Sequence, residues 1–163
     1  MKTVILRTLA LALAALTLVF CFAACDSASS DEGFVFKAGG TEIAIGEKEE
    51  PTLAALGTPV SETSSASCGG FEGKDYVYTY NGFRVSTTPA ADGQIICKIE
   101  LTDDSVKTPE GLCIGMSRED AESAMKGHTA ERVGDNLVYT AGNTKLQVVF
   151  REDSISGILY IAK

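Results

Sequence analysis

The sequence contains few of the residues from which metal and cofactor sites are usually built. Its 163 residues include one histidine, His128, and five cysteines that form no Cys-x-x-Cys pair. Histidine and closely spaced cysteines are the usual ligands of protein-bound zinc. The acidic pair Asp103 and Asp104 lacks the spaced ligands and the glycine of a calcium-binding loop. We therefore expect neither a metal ion nor a cofactor.

Positive charge is scarce as well. The chain has 14 lysines and arginines against 22 aspartates and glutamates, which gives a net charge of −8 at pH 7. Proteins that bind nucleic acid neutralise its phosphates with lysine and arginine, so we expect no nucleic-acid partner. Anionic lipid headgroups would also repel so acidic a chain, and attachment to a membrane would therefore depend on a covalent lipid.

The apolar run near the N-terminus is too short to be a typical membrane span. Residues 8–22 form this run of 15 residues, whereas a spanning helix needs about 20. Lys2 and Arg7 precede the run, and small residues follow it. This order is typical of a secretory signal peptide, and an uncleaved anchor helix is the alternative.

The segment Phe22-Ala23-Ala24-Cys25 resembles the lipobox of bacterial lipoproteins, with Phe22 where leucine is usual. It predicts a signal peptide over residues 1–24 and a lipid, such as palmitate, on Cys25. The protein would then be anchored by that lipid to the cell membrane on its extracytoplasmic side. Residues 25–33 would form a flexible tether with a reach of about 28 Å.

Residues 34–163 are predicted to form one duplicated α+β domain. Ile43-Ala44-Ile45-Gly46 is echoed by Leu112-Cys113-Ile114-Gly115, and a short helical segment follows each. The first segment is predicted to end at Gly57, and the second to begin at the N-cap Ser117 and end at Gly127. Three strand patterns then follow in each half. We expect a short N-terminal hairpin, then two tandem repeats of a helix and a three-stranded antiparallel meander. The repeats would cover residues 41–102 and 110–163.

The pair Asn81-Gly82 predicts a two-residue hairpin turn of type I′, in which both residues have positive φ. Such a turn places Tyr80 opposite Phe83 and Tyr78 opposite Val85, all on one face. Aromatic residues at this spacing favour a core position for the two tyrosines. A platform on which a ligand stacks is the alternative.

The stretch from Cys68 to Asp75 resembles a phosphate-binding loop only in its Gly73-Lys74 pair. Cys68 stands where the pattern needs glycine, and Asp75 stands where it needs serine or threonine. As a nucleophile, Cys68 would need a base, and His128 is the single histidine. A catalytic pair of carboxylates cannot be singled out among so many acids. We therefore expect no catalytic residues.

Three cysteines remain after the predicted lipidation: Cys68, Cys97 and Cys113. If the chain turns back near Ser105, Cys97 comes opposite Cys113, within bridging range. A Cys97–Cys113 disulfide is the favoured prediction. Three free thiols and a pair that includes Cys68 remain as alternatives.

Two stretches, SCGGFEGKDYVYTYNGF and LTDDSVKTPEGLCIGMSREDA, resemble segments of uncharacterised Gram-positive lipoproteins with a duplicated layout. The layout as a whole resembles the β-lactamase-inhibitor-protein-like fold, whose unit also occurs singly in outer-membrane assembly lipoproteins of the SmpA/OmlA type. The resemblance implies a non-catalytic surface module and identifies no binding residues.

We therefore predict a lipid-anchored binding or scaffold protein, not an enzyme, which interacts with or inhibits another envelope protein. The sequence does not identify its binding face. The alternative is a small envelope hydrolase or transferase that uses Cys68 or a carboxylate pair.

Overall fold

The structure, a computed structural model, describes residues 33–163. Cys25 and the predicted signal peptide lie outside these residues. A hairpin comes first, and then each half of the chain contributes one helix and four strands. The hairpin strands are β1 (Val35–Ala38) and β2 (Thr41–Ala44). The first half contains α1 (Glu49–Leu56), β3 (Ser61–Ala66), β4 (Lys74–Tyr80), β5 (Phe83–Ala90) and β6 (Gly93–Leu101). The second half contains α2 (Arg118–Ala124), β7 (Ala130–Val133), β8 (Asn136–Ala141), β9 (Thr144–Arg151) and β10 (Ser154–Ala162).

The eight strands of the two halves form one antiparallel sheet in the order β3-β4-β5-β6-β10-β9-β8-β7. The halves meet at β6 and β10, where the register runs from Lys98 opposite Ile161 to Leu101 opposite Ile158. Both helices and the hairpin contribute to one core on one face of this sheet. Within the described residues, no other element covers the opposite face, which we call the open face.

The predicted α+β fold of two helix-plus-three-strand repeats is therefore wrong. The protein is mostly β, and four strands follow each helix instead of three. The two unpredicted strands, β3 and β7, form the edges of the sheet, and all their residues are exposed. An edge strand with no buried residue shows no alternation of apolar and polar side chains, so periodicity could not reveal it.

The two echoed segments have the same structural role. The Gly46 amide donates to the Ile96 carbonyl, and the Gly115 amide donates to the Ile155 carbonyl, both at 2.8 Å. Each glycine has positive φ, 91° at Gly46 and 85° at Gly115, a conformation that residues with a Cβ rarely adopt. Each segment thereby ties the chain ahead of a helix to the last strand of its own half.

The core contains the two tyrosines at the predicted places. Tyr80 pairs with Phe83 and Tyr78 with Val85, and all four are buried, so the core prediction is confirmed. The turn between them is not of type I′, because Gly82 has φ 84° whereas Asn81 does not have positive φ. Positive φ at the second turn residue alone is typical of a type II turn.

Candidate functional site

The open face consists of the strand residues that alternate with the core residues. One row across the sheet is formed by Arg84, Glu100, Leu159, Gln147 and Val138, which are paired in that order from β5 to β8. The next row is formed by Ser86, Lys98, Ile161, Lys145 and Thr140. Since the period of a strand is two, all these side chains project from the same face.

The centre of the open face is positively charged. Arg84 and Lys98 share Glu100, at N–O distances of 4.0 Å and 3.4 Å. Lys145 lies on the next row, separated from Lys98 by Ile161. From β5 to β8, three cations therefore stand against one carboxylate on these two rows, although the chain as a whole is acidic. On β7, Glu131 lies at the end of the first row, beside Val138.

The layer on the other face of the sheet has the opposite charge. Helix α1 carries Glu49 and Glu50, and helix α2 carries three acids and a single arginine, Arg118. Acidic residues therefore lie over the covered face, while cations lie on the open face. Such an asymmetry orients a charged partner as it approaches.

Apolar side chains stand among the charges of the open face. Leu159, Ile161 and Val138 lie on it and are only partly buried. Partly exposed apolar groups surrounded by polar ones are typical of protein interaction sites. The alternation Lys98-Ile99-Glu100-Leu101 in the sequence indicates that β6 has one polar face. It does not indicate which strands lie beside β6.

Cys97 lies at a β-bulge, where β6 has one residue more than β5 between Ser86 and Thr87. Its thiol donates to the Ser86 carbonyl at 3.3 Å. Burial, together with the nearby charge of Asp75, raises the pKa of the Cys97 thiol. Since a thiolate is the nucleophilic form, this environment disfavours a catalytic role.

The second half has a serine where the first has Cys97. β10 bulges at Ser156, whose hydroxyl donates to the Val149 carbonyl, also at 3.3 Å. The same bond at the same kind of bulge indicates that Cys97 has a structural role.

We expect Cys97→Ser to change the free energy of unfolding by less than about 1 kcal/mol, because serine can donate the same hydrogen bond. Cys97→Val removes the donor and should cost about 1 kcal/mol or more. Urea unfolding of the two variants beside the parent chain measures the difference. A larger loss for serine than for valine would contradict the structural role.

The predicted Cys97–Cys113 bridge depended on a register that is not formed. β6 pairs with β5 on one side and with β10 on the other, so residues 109–113 do not run beside it. Cys113 lies in the loop ahead of α2, where its carbonyl accepts from the Met116 amide at 3.3 Å. Cys68, Cys97 and Cys113 are all free in the structure.

Cys68 and His128 are not brought together either. Cys68 follows β3, His128 precedes β7, and these strands form opposite edges of the sheet. Eight strands spaced about 4.8 Å apart separate the edges by about 34 Å. The His128 ring packs instead against Phe34, with ring centroids 5.3 Å apart.

The first residue of each helix is charged, and its side chain attaches the helix to the sheet. The sequence patterns did not single out these two residues. Glu49 accepts from the Tyr78 hydroxyl at 3.0 Å and from the Thr87 hydroxyl at 2.6 Å. Burial, and next the bond to Glu49, raise the pKa of Tyr78, so its phenol stays protonated as a donor. In the sequence, the position of a charged residue directly after each N-cap was the only feature that pointed to Glu49 and Arg118.

In the second half the corresponding residue is Arg118. Its Nε donates to Asp153 Oδ1 at 2.8 Å, and its guanidinium lies 4.0 Å above the centre of the Phe150 ring. Both charged groups thus have structural partners, which accounts for them without a catalytic role.

Residues 33–163 contain neither a cluster of three metal-ligating side chains nor a helix long and apolar enough to cross a membrane. Comparison of the chain with protein-family models, with curated proteins and with solved structures gives no significant match. The geometry of the open face therefore carries the functional argument.

Proposed function

We propose that this protein is a lipid-anchored, extracytoplasmic binding protein that holds another envelope protein against its open face. The lipid on Cys25 would attach the chain to the cell membrane, and residues 25–33 would let the domain move above the surface. Inhibition of an envelope enzyme is a special case of this function. The observation that supports it is a broad sheet face whose charge is opposite to that of the covered layer.

The size of the open face suits a protein partner. Eight strands spaced about 4.8 Å apart, each about 20 Å long, give a face of about 700 Å². Each partner of a stable protein complex contributes about 800 Å². The open face is not a cleft, and it lacks the depth that is needed to enclose a small molecule.

The chemistry of the face defines the partner. Lys98 and Lys145 favour carboxylates, and Ile161 between them favours an apolar side chain. We therefore expect the partner to present an acidic surface with apolar groups at its centre.

We expect the double substitution Lys98→Glu and Lys145→Glu to reduce partner binding at least tenfold, because each reversal replaces attraction by repulsion worth about 1 kcal/mol. Lys126→Glu, which changes a lysine just beyond helix α2, is the matched control and should have little effect. Co-purification of the partner from native membranes, with a photo-crosslinking side chain at Gln147, measures the loss.

A crosslinker at Ser123, which is exposed on helix α2, tests the direction of approach. The proposal requires partner adducts from Gln147 and few from Ser123. Equal yields from the two positions, or unchanged yields after the double charge reversal, would refute binding at the open face.

A further inference from the structure

The edge strand β3 (Ser61–Ala66) offers a second surface. All six residues of β3 are exposed, and the strand pairs with β4 on one side only. Its other backbone edge has no partner within the described part of the chain. An unpaired edge presents a row of N–H and C=O groups that can pair with another strand.

The register identifies the groups that are available. The Ser67 amide donates to the Gly73 carbonyl at 3.1 Å, in continuation of the β3–β4 register. In an antiparallel pair, alternate residues bond to the same neighbour. Thr63 and Ser65 therefore bond to β4, whereas Ser64 and the residues two positions to either side of it direct their N–H and C=O groups to the free edge.

The opposite edge strand lacks these features. β7 (Ala130–Val133) has only four residues, and two of them, Glu131 and Arg132, are charged. Short length and charge are the usual devices that protect an edge from pairing. β3 is longer, contains no proline and has a single charge, Glu62.

Exposed apolar residues flank β3 along the chain. Val60 directly precedes the strand and is 70% exposed, and Phe71, in the loop that follows it, is 50% exposed. Six residues of strand span about 20 Å. A paired strand about eight residues long would reach from Val60 to the loop that carries Phe71.

The surroundings of β3 are acidic. Glu62 lies on the strand, Glu72 lies in the following loop, and Asp75 pairs across from Ser65, against one cation, Lys74. A second copy of the chain would bring carboxylates against carboxylates. A basic segment would instead complement them.

We propose that β3 binds an extended, basic segment of a partner protein by β-strand addition, with apolar side chains of that segment on Val60 and Phe71. Backbone hydrogen bonds to residues 62–66 would provide affinity, and the flanking apolar and acidic groups would provide selectivity. This inference goes beyond the proposed function, because it requires neither the open face nor the lipid.

The test uses the full-length chain in detergent and a fluorescent eight-residue peptide of alternating valine and lysine with blocked ends. Ser64→Pro removes the outward amide at the centre of the strand and leaves the bonds of Thr63 and Ser65 to β4. We expect Ser64→Pro to weaken peptide binding about tenfold, and Ser64→Ala, which keeps the amide, to weaken it less than twofold.

A second probe keeps the test independent of how the proline variant folds. The same peptide, methylated on alternate backbone nitrogens of one edge, is titrated against the unchanged chain and should also bind about tenfold more weakly. Equal binding of both peptides, or no binding of the unmethylated peptide, would overturn the inference. A chain that dimerises through β3, and becomes monomeric with Ser64→Pro, would overturn it as well.

Discussion

Replacing Phe36 by alanine should lower the free energy of unfolding by about 4 kcal/mol, a loss typical of a fully buried aromatic residue. The Phe36 side chain is 0% exposed. Its ring centroid lies 5.2 Å from that of Phe83, in the first half, and 5.8 Å from that of Tyr160, in the second. The N-terminal hairpin thus places one ring over the junction of the halves, so its removal weakens both at once.

Urea unfolding of the full chain measures this loss, with two variants for comparison. Val35→Ala changes the neighbouring hairpin residue, which is only partly buried, and should cost about 1 kcal/mol. Phe36→Leu keeps most of the buried volume and should cost less than alanine at the same position. A loss at Phe36 no larger than that at Val35 would show that the hairpin does not join the two halves.

Replacing Cys25 by alanine should abolish lipid anchoring, because Cys25 carries the one thiol of the lipobox-like segment to which the predicted lipid could be attached. A single acyl chain binds membranes only marginally, and stable anchoring takes more than one chain or a second membrane-binding signal. We expect almost all of the protein to leave the membrane fraction, or to accumulate as the unprocessed precursor.

The control for this prediction is Cys21→Ala, which changes the neighbouring cysteine after the bulky Phe20. It should be processed and fractionate as the parent chain does. Gel mobility and membrane fractionation provide the two measurements. Cys25→Ala protein that matures and fractionates normally would contradict the predicted anchor, and with it the proposed location.

Local chemistry was sufficient to predict several elements of the fold. Ser117 is the N-cap of α2, where its hydroxyl accepts from the Asp120 amide at 3.2 Å, and Gly57 ends α1 with φ 78°. The register of Tyr78 opposite Val85 was likewise predicted. These features depend on residues close in sequence, whose hydrogen bonds and backbone preferences are set by residue type.

The sequence by itself thus determined the end of α1, the start of α2, the register between β4 and β5, and the buried position of Tyr78 and Tyr80. Only the tertiary structure decided that β3 and β7 are strands, because their polar residues are held in strands by backbone hydrogen bonds to the neighbouring strands β4 and β8. It also decided that β10 lies beside β6, and so which residues share the open face. Pairing between strands that are distant in sequence depends on the packing of the whole core. No local pattern of residues can therefore predict it.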